Sequence, residues 1–254
     1  MSDVQKQFGN VAANYATSAV HAGGNDLNTM LAAVNFTGDE LVLDAGCGAG
    51  HTGLAFAPHV EHVVAYDLTP QMLAQVERLA AERGIQNLSI EQGNVESLPF
   101  EDDLFDIVVS RYSAHHWRNP QAALVEFLRV LKPGGMLILG DIVGFEDAMQ
   151  DTFLQTIELL RDPSHVRDHT VTQWLDMIEM AEFQFSEVLL NFDLPLGFQS
   201  WLTRMATPER NAALIHALWE GAPEDVQHAF HLPNPLPDDF DFVINGAVIR
   251  AFKV

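Results

Sequence analysis

The stretch that decides the fold runs from Leu41 to Gly50 and reads LVLDAGCGAG. Its three leading apolar residues are typical of a short strand that is buried on both faces. Asp44 follows, and then a loop with glycine at every second position. Glycine lets a backbone turn sharply and approach a ligand closely, because it has no Cβ. The pattern predicts a strand that carries a ligand-binding loop at its carboxyl end.

A second acid stands at the spacing that an adenosine site requires. The apolar run from His62 to Tyr66 predicts the next strand, and Asp67 ends it. This acid follows the glycine loop by close to the roughly 20 residues that separate the loop and the ribose-binding acid in nucleotide-binding folds. Its carboxylate would accept hydrogen bonds from both ribose hydroxyls. The ligand would lie at the carboxyl ends of parallel strands.

The residue after the loop argues against a dinucleotide. A G-x-G-x-x-G fingerprint requires glycine at position 51, where the chain has His51. Pyrophosphate needs a helix amino end that it can approach without interference from side chains. The chain also lacks a second glycine-rich half. An NAD-dependent oxidoreductase is therefore the weaker alternative, and S-adenosylmethionine, which carries no phosphate, is the favoured ligand.

Strands and helices alternate after the loop. Further strands are predicted at Leu88–Ile90, Phe105–Val109 and Met136–Leu139, and two later ones at 185–192 and 242–254. Helical patterns separate them, which predicts a mostly parallel α/β sheet with helices on both faces.

We expect a single domain spanning residues 1–254. Residues 1–36 would form an amino-terminal helical cap, and residues 37–194 and 240–254 would form the core. Residues 195–239 would be a helical lid over the substrate, inserted before the last strand.

Composition limits the classes of partner. Lys and Arg number 13 against 35 Asp and Glu, so the net charge is −22. Such a chain repels phosphate backbones and anionic membrane surfaces. The only cysteine is Cys47, no apolar run is long enough to span a bilayer, and the first residues lack a signal-peptide pattern. We expect a cytoplasmic monomer or homodimer that acts on a small molecule and binds no metal.

Four motifs in order carry a family resemblance. LVLDAGCGAG is similar to the first motif of class I S-adenosylmethionine-dependent methyltransferases, and DLTPQML at 67–73 resembles the second. GNVESLPF at 93–100 is similar to the adenine-side segment, and RVLKPGG at 129–135 resembles the late hairpin. Within this family the chain resembles the ubiquinone/menaquinone C-methyltransferase-like group and small YcgJ-type bacterial enzymes, through residues 110–117 and 161–167. The resemblance implies a Rossmann-like seven-stranded sheet.

The resemblance also implies which residues bind the donor and its product, S-adenosylhomocysteine. The glycine loop would surround the methionine part, Asp67 would hold the ribose, and Leu68 and Met72 would flank the adenine. Asn94 stands where the family usually has aspartate, so we expect altered affinity without loss of binding, because an amide oxygen still accepts a hydrogen bond. The full predicted set is Tyr15, Asp44, Ala45, Gly46, Cys47, Gly48, Gly50, Asp67, Leu68, Met72, Asn94, Val95, Glu96, Ser110 and Arg111.

The predicted reaction moves a methyl group to an oxygen, nitrogen or carbon nucleophile of a small molecule by in-line displacement. A base helps when that nucleophile carries a proton. His115 and His116 follow the fourth strand, and histidine titrates near neutral pH. His115 is slightly favoured as the base and Tyr112 would line the same cavity. Alternatively, both histidines pack the sheet edge.

Basic residues elsewhere are candidates for binding the acceptor. This predicted set is His21, His115, Arg161, His165 and Arg167. For Arg161, His165 and Arg167, ion pairs with Asp162 and Asp168 are the alternative explanation. A catalytically silent relative that only binds S-adenosylmethionine is the alternative to an enzyme.

Overall fold

A computed structural model describes residues 3–16 and 23–254, so the predicted acceptor residue His21 lies outside the described residues. One sheet organises the described chain. Its strands are β1 Leu41–Ala45, β2 His62–Asp67, β3 Leu88–Gln92, β4 Phe105–Arg111, β5 Leu131–Ile142, β6 Gln184–Gly197 and β7 Asp241–Phe252.

The strand order is β3-β2-β1-β4-β5-β7-β6. Strands β1 to β5 pair in parallel, and β7 runs antiparallel to both β5 and β6. The predicted α/β class and the mostly parallel seven-stranded sheet are confirmed. Strands β1 to β3 follow one another toward one edge of the sheet, and β4 begins the other half on the opposite side of β1. This reversal between β1 and β4 places a crevice at the carboxyl ends of these strands.

Helices flank the sheet and extend from it. They are α1 Asp3–Ala16, α2 Asn25–Ala32, α3 His51–Phe56, α4 Pro70–Arg83, α5 Pro120–Val130, α6 Ala148–Arg161, α7 Val171–Met180, α8 Phe198–Arg204, α9 Glu209–Glu220 and α10 Glu224–Ala229. Residues at the termini determine where several of these helices begin and end. Pro70 begins α4 and Gly84, at φ 69°, ends it. Thr170 and Gln173 form a capping box at the start of α7.

Successive residues of the central strands face opposite layers. Val108 belongs to an apolar cluster with Phe127 of α5 and Trp174 of α7. Its neighbour Val109 belongs to another cluster, with Met30 of α2. This period of two buries both faces of the sheet, which explains why the central strands are continuously apolar in sequence.

A third cluster joins α8, α9 and α10 to α6. Trp201, Trp219 and Phe230 are fully buried in it, together with Leu154 of α6. These helices lie between β6 and β7 in the chain and pack as one apolar unit beside the carboxyl ends of the strands.

Strand β6 extends to Gly197, so Pro195 lies within it and the helical segment begins only at Phe198. Proline cannot donate to a ladder, but β6 is the outermost strand, where one edge needs no partner. Among the described residues, no helix combines the length and apolar character needed to cross a membrane.

Candidate active site

A cavity of about 440 Å³ opens at the crevice, which is a volume typical of small-molecule sites. Its wall comes from the glycine loop, the end of β2, residues 93–96, residues 111–113 and 116–118, and α1. The predicted donor-binding residues that line it are Tyr15, Gly46, Cys47, Gly48, Asp67, Leu68, Met72, Asn94, Val95, Glu96 and Arg111.

The glycine loop has a backbone that other residues adopt with difficulty. Gly46, Gly48 and Gly50 have φ values of 69°, 52° and 84°, in the left-handed region that glycine occupies without steric cost. A Cβ at Gly46 would overlap Ser113 Oγ. The amides of Gly46 and Cys47 both donate to the carbonyl of Tyr66, at 2.8 and 3.0 Å. The loop is therefore fixed against β2, with its backbone forming part of the cavity wall.

Cys47 is the one thiol at this wall. Burial is the main cause that raises its pKa, and the nearby acids Asp67 and Asp44 add to the effect. A protonated thiol is a poor nucleophile. Cys47 therefore contributes shape to the cavity and no covalent chemistry.

The carboxylate of Asp67 is anchored at both oxygens. Oδ2 accepts from the Gly48 amide at 2.8 Å and Oδ1 from the Thr69 amide at 2.7 Å. Burial raises its pKa, against these two hydrogen bonds. Each carboxylate oxygen has a further lone pair for a ligand hydroxyl. The fixed carboxylate and the glycine loop beside it fit the ribose of an adenosyl compound.

Four of the predicted donor contacts do not line this cavity. They are Asp44, Ala45, Gly50 and Ser110. Asp44 is fully buried, its Oδ2 accepts from the Gly53 amide at 2.7 Å, and burial raises its pKa to about 7. It supports the start of α3 behind the loop.

The adenine side combines apolar side chains with a locked turn. Leu68, Met72 and Val95 provide the apolar surface. Asn94 Oδ1 accepts from the amide of Glu96 at 3.1 Å. Glu96 Oε1 accepts from the amides of residues 118 and 119, at 2.8 and 3.0 Å. Glu96 therefore ties two loops together, and Asn94 stands in a turn that keeps its second oxygen lone pair for a ligand.

Helix α1 covers the cavity through contacts that local motifs do not reveal. Phe8 and Tyr15 pack edge to face at 5.3 Å. His51 Nε2 lies 3.1 Å from the Tyr15 carbonyl, so it donates, and burial lowers the pKa of this imidazole. Gln5 donates to the Leu68 carbonyl at 3.0 Å. The histidine that breaks the dinucleotide pattern thus fixes the cover over the site.

Other lining residues were not predicted. They are Val4, Phe8, His51, Thr52, Thr69, Gly93, Ser113, Trp117 and Arg118. Most of them lie next to predicted site residues in the sequence, so sequence position is the signal that could have found them. Val4 and Phe8 lie on α1, from which the prediction names only Tyr15, and the long-range docking of α1 brings them to the cavity.

Arg111 is the last residue of β4, and its side chain binds the amino-terminal part of the chain. Its Nε donates to Asp26 Oδ2 at 2.6 Å, with only 2% and 5% of the two side chains exposed. Its guanidinium also lies over the ring of Tyr112, 4.5 Å from the centroid. The ion pair attaches α2 to the cavity wall.

The two adjacent histidines occupy different electrostatic environments. His115 donates from Nδ1 to Asp141 Oδ1 at 2.7 Å. Burial disfavours its charged form, but Asp141 outweighs this and raises the pKa of His115 to about 9. Asp141 itself has a lowered pKa, because His115 and two backbone amides offset its burial. His115 is therefore protonated at neutral pH and offers a donor at Nε2.

His116 is neutral. Its Nδ1 lies 3.2 Å from the carbonyl of Ser164 and donates to it, which leaves the lone pair on Nε2. Burial and the positive charge of His115 lower the pKa of His116. Its ring packs edge to face on Phe8 at 4.8 Å.

A second, smaller cavity of about 50 Å³ adjoins the first. The two share the walls Phe8, Tyr15, Tyr112 and His116. His115 lines only the smaller one.

The predicted acceptor residues divide between this cavity and other contacts. His115 and Arg161 line it, whereas His165 and Arg167 line neither cavity. His165 Nε2 contacts Gln155 Oε1 at 3.0 Å, and Arg167 pairs with an acid, Asp151, at 2.7 Å. Arg167 thus forms an ion pair within the chain, though with Asp151 and with neither Asp162 nor Asp168. His165 Nε2 lies 3.8 Å from Asp168 Oδ2, and its buried Nδ1 has no hydrogen-bond partner among the described residues.

Replacing Asp141 by Asn should lower the pKa of His115 by at least about one unit, because the main cause of its elevation is the Asp141 charge. NMR titration of the imidazole nitrogens in the two proteins measures this shift. Because the folded pKa lies above the unfolded value of 6.5, the pair stabilises the fold fully below that pH. The contribution is lost as the pH rises through about 9. An unchanged pKa in the variant would contradict the assignment.

Comparisons with known proteins agree with this geometry. A family model described as a methyltransferase domain matches residues 43–139. The uncharacterized methyltransferase YcgJ of Bacillus subtilis is 34% identical over 247 residues, which cover 97% of each chain. Its crystal structure superimposes with a TM-score of 0.85 and 33% identity, covering 90% of this chain and 97% of that one.

Two further relatives extend the comparison. The uncharacterized protein YafE of Escherichia coli is 44% identical over 190 residues, covering 75% of this chain and 91% of YafE. A demethylmenaquinone methyltransferase of Clavibacter sepedonicus is 34% identical over 140 residues, which is 54% of this chain and 56% of that enzyme. The chain therefore belongs to the S-adenosylmethionine-dependent methyltransferases.

Proposed function

We propose that the main cavity binds S-adenosylmethionine and that the enzyme transfers its methyl group to a small-molecule acceptor held at the adjoining cavity. The observation that carries this proposal is the carboxylate of Asp67, fixed at the cavity wall by the amides of Gly48 and Thr69 next to the glycine loop. Asp67 would hold the ribose, Leu68 and Met72 the adenine, and Gly46 to Gly48 the methionine part. His51 occupies the first turn of α3, where a pyrophosphate would need open amides.

The bound cofactor would supply an electrophilic methyl group on a sulfonium. The chain's own task is to align the acceptor with it and to exclude water. Phe8 and Tyr15 serve both purposes, because they stand on the wall between the two cavities and belong to the helix that covers them. We assign helices α8 to α10 to a lid on the acceptor side, since Trp201 and Arg204 of α8 line the smaller cavity.

His116 is the better base of the adjacent pair, in place of the slightly favoured His115. A base must be unprotonated at working pH, and Asp141 keeps His115 charged. His116 is neutral, carries its lone pair on Nε2 and lies on the wall common to both cavities. It would take a proton from an oxygen, nitrogen or carbon nucleophile, while His115 would donate a hydrogen bond to the acceptor.

Replacing Asp67 by Ala should weaken S-adenosylhomocysteine binding about tenfold or more, because the ribose loses two hydrogen bonds to a charged group. The amides of Gly48 and Thr69 lose their acceptor as well. Isothermal titration calorimetry measures the dissociation constant for the wild type and the variant.

Glu91→Ala is the matched control, since this exposed acid on the neighbouring strand β3 should leave the affinity unchanged. The same titration with NAD should show no binding. An unchanged affinity in the Asp67 variant would remove Asp67 from the ribose site. Tight binding of NAD without binding of S-adenosylhomocysteine would overturn the proposed cofactor.

A further inference from the structure

We propose that the smaller cavity takes an anionic oxygen group of the methyl acceptor, such as a carboxylate, on Arg161, Arg204 and His115. The inference rests on the proposed function and adds the chemical class of the acceptor. The cavity joins the donor site through the shared walls at Tyr112 and His116. A group bound there would place the rest of the acceptor toward the donor.

The placement of cations is the first argument. The chain has only 13 Lys and Arg against 35 acids, yet Arg161 and Arg204 both line this small cavity. Only 7% of Arg161 is exposed, and burying a guanidinium is costly. Its Nε donates to the Trp201 carbonyl at 3.1 Å, and its plane lies over the Trp201 ring at 4.8 Å. The side chain is thus held rigidly against the cavity.

The acids near the cavity pair with its cations or with backbone groups, and the lining holds three cationic side chains, Arg161, Arg204 and His115, against the two acids Glu158 and Asp168. Glu158 accepts from Arg161 Nη1 at 3.1 Å. Asp141 accepts from His115 and from backbone amides. Asp162 Oδ1 accepts from the amide and hydroxyl of Ser164 at 2.8 and 2.7 Å.

Asp168 is a buried acid that also lines the cavity. Its carboxyl is 2% exposed, and Oδ2 has no hydrogen-bond partner among the described residues and lies 3.8 Å from His165 Nε2. Burial raises the pKa of Asp168, which weakens its opposition to an anionic ligand. His115, held protonated by Asp141, supplies a hydrogen-bond donor in the same cavity.

The size of the cavity and its apolar lining residues limit what the rest of the acceptor can be. A volume of about 50 Å³ holds a group of only a few atoms. Leu194, Leu196 and Ile244 are among the apolar residues that line it. The acceptor would thus be a small organic acid with an apolar body, which extends past His116 to the donor site.

Calorimetry on the full chain saturated with S-adenosylhomocysteine tests the charge of this group. The probes are phenylacetate with phenylacetamide, and 4-hydroxybenzoate with 4-hydroxybenzamide, which differ only in carboxylate against amide. We expect each carboxylate to bind about tenfold more tightly than its amide, because a charged acceptor makes stronger hydrogen bonds to guanidinium and imidazolium. Phenethylamine, the cationic analogue, should bind more weakly than both.

The variant Glu158→Gln/Arg161→Gln replaces the ion pair by two amides and avoids leaving a buried charge without a partner. It should clearly reduce the carboxylate preference, which Arg204 and His115 would then support alone, while keeping the affinity for S-adenosylhomocysteine. Arg78→Gln, which alters an exposed pair with Glu82 on α4, should keep the preference.

Equal binding within each pair, no carboxylate binding, or a preference for the amine would overturn the inference when S-adenosylhomocysteine still binds. Failure of S-adenosylhomocysteine to bind the wild type would instead overturn the proposed function itself.

Discussion

Replacing His116 by Ala is expected to lower kcat about 100-fold, the low end of the contribution of a general base. The dissociation constant for S-adenosylhomocysteine should stay within about twofold, because methyl-group chemistry and donor binding use different side chains. His116 is neutral, lies on the wall between the two cavities and has its lone pair on Nε2. Turnover is measured with an acceptor found in a methyl-transfer screen of small organic acids.

Imidazole added to the His116→Ala enzyme should restore part of the turnover, because the vacated space adjoins the cavity. A packing role against Phe8 would not be restored in this way. His228→Ala, at an exposed histidine of α10, is the matched control and should keep full activity. An equal loss of kcat and of donor affinity would reassign His116 to packing, and donor binding without turnover by the wild type would indicate a silent relative.

The pH dependence of kcat gives an independent test of His116 as the base. Because burial and His115 lower the pKa of His116, it stays unprotonated from neutral pH down through the ordinary value of 6.5. We expect kcat to be flat across neutral pH and to fall only at more acidic pH. A midpoint at 6.5 that disappears in the His116→Ala enzyme would contradict the lowered pKa.

The sheet could be predicted because its signals are local. The run from Leu41 to Gly50 contains a buried strand and three glycines with positive φ, so sequence and backbone conformation correspond directly. The role of Asp67 could be predicted from its spacing after the glycine loop. The end of β6 was harder, because Pro195 signals a strand end except at the sheet edge, and the edge is set by the order of all seven strands.

The acceptor side could be predicted only in outline. Two adjacent histidines look equivalent in sequence, yet Asp141 from β5 gives one of them a raised pKa, and burial beside that charge lowers the other's. Arg161 was a candidate, but Arg204 and Asp168 join it only when α6, α8 and the segment after α6 pack together. The protonation state of a side chain depends on such neighbours that are distant in sequence. Whether a segment forms a helix or a strand depends mainly on residues that are close in sequence.

Replacing Arg111 by Met should lower the free energy of unfolding by about 3–5 kcal/mol, the usual cost of removing one partner of a buried ion pair. Asp26 would keep its charge in a site where only 5% of its side chain is exposed. Urea denaturation followed by circular dichroism measures the change. Arg78→Met, at an exposed pair with Glu82, should change stability by less than about 1 kcal/mol.

The double variant Asp26→Leu/Arg111→Met separates the cost of a stranded charge from the cost of lost packing. Replacing both partners by apolar groups removes the uncompensated carboxylate, so the double variant should be more stable than Arg111→Met alone. Asp26 belongs to α2, and Arg111 is the last residue of β4 and lines the cavity. A recovery of stability without recovery of S-adenosylhomocysteine affinity would therefore show that the ion pair also shapes the donor site. A double variant no more stable than Arg111→Met would mean that the guanidinium stabilises the fold mainly through its other contacts, such as the Gly23 carbonyl and the Tyr112 ring.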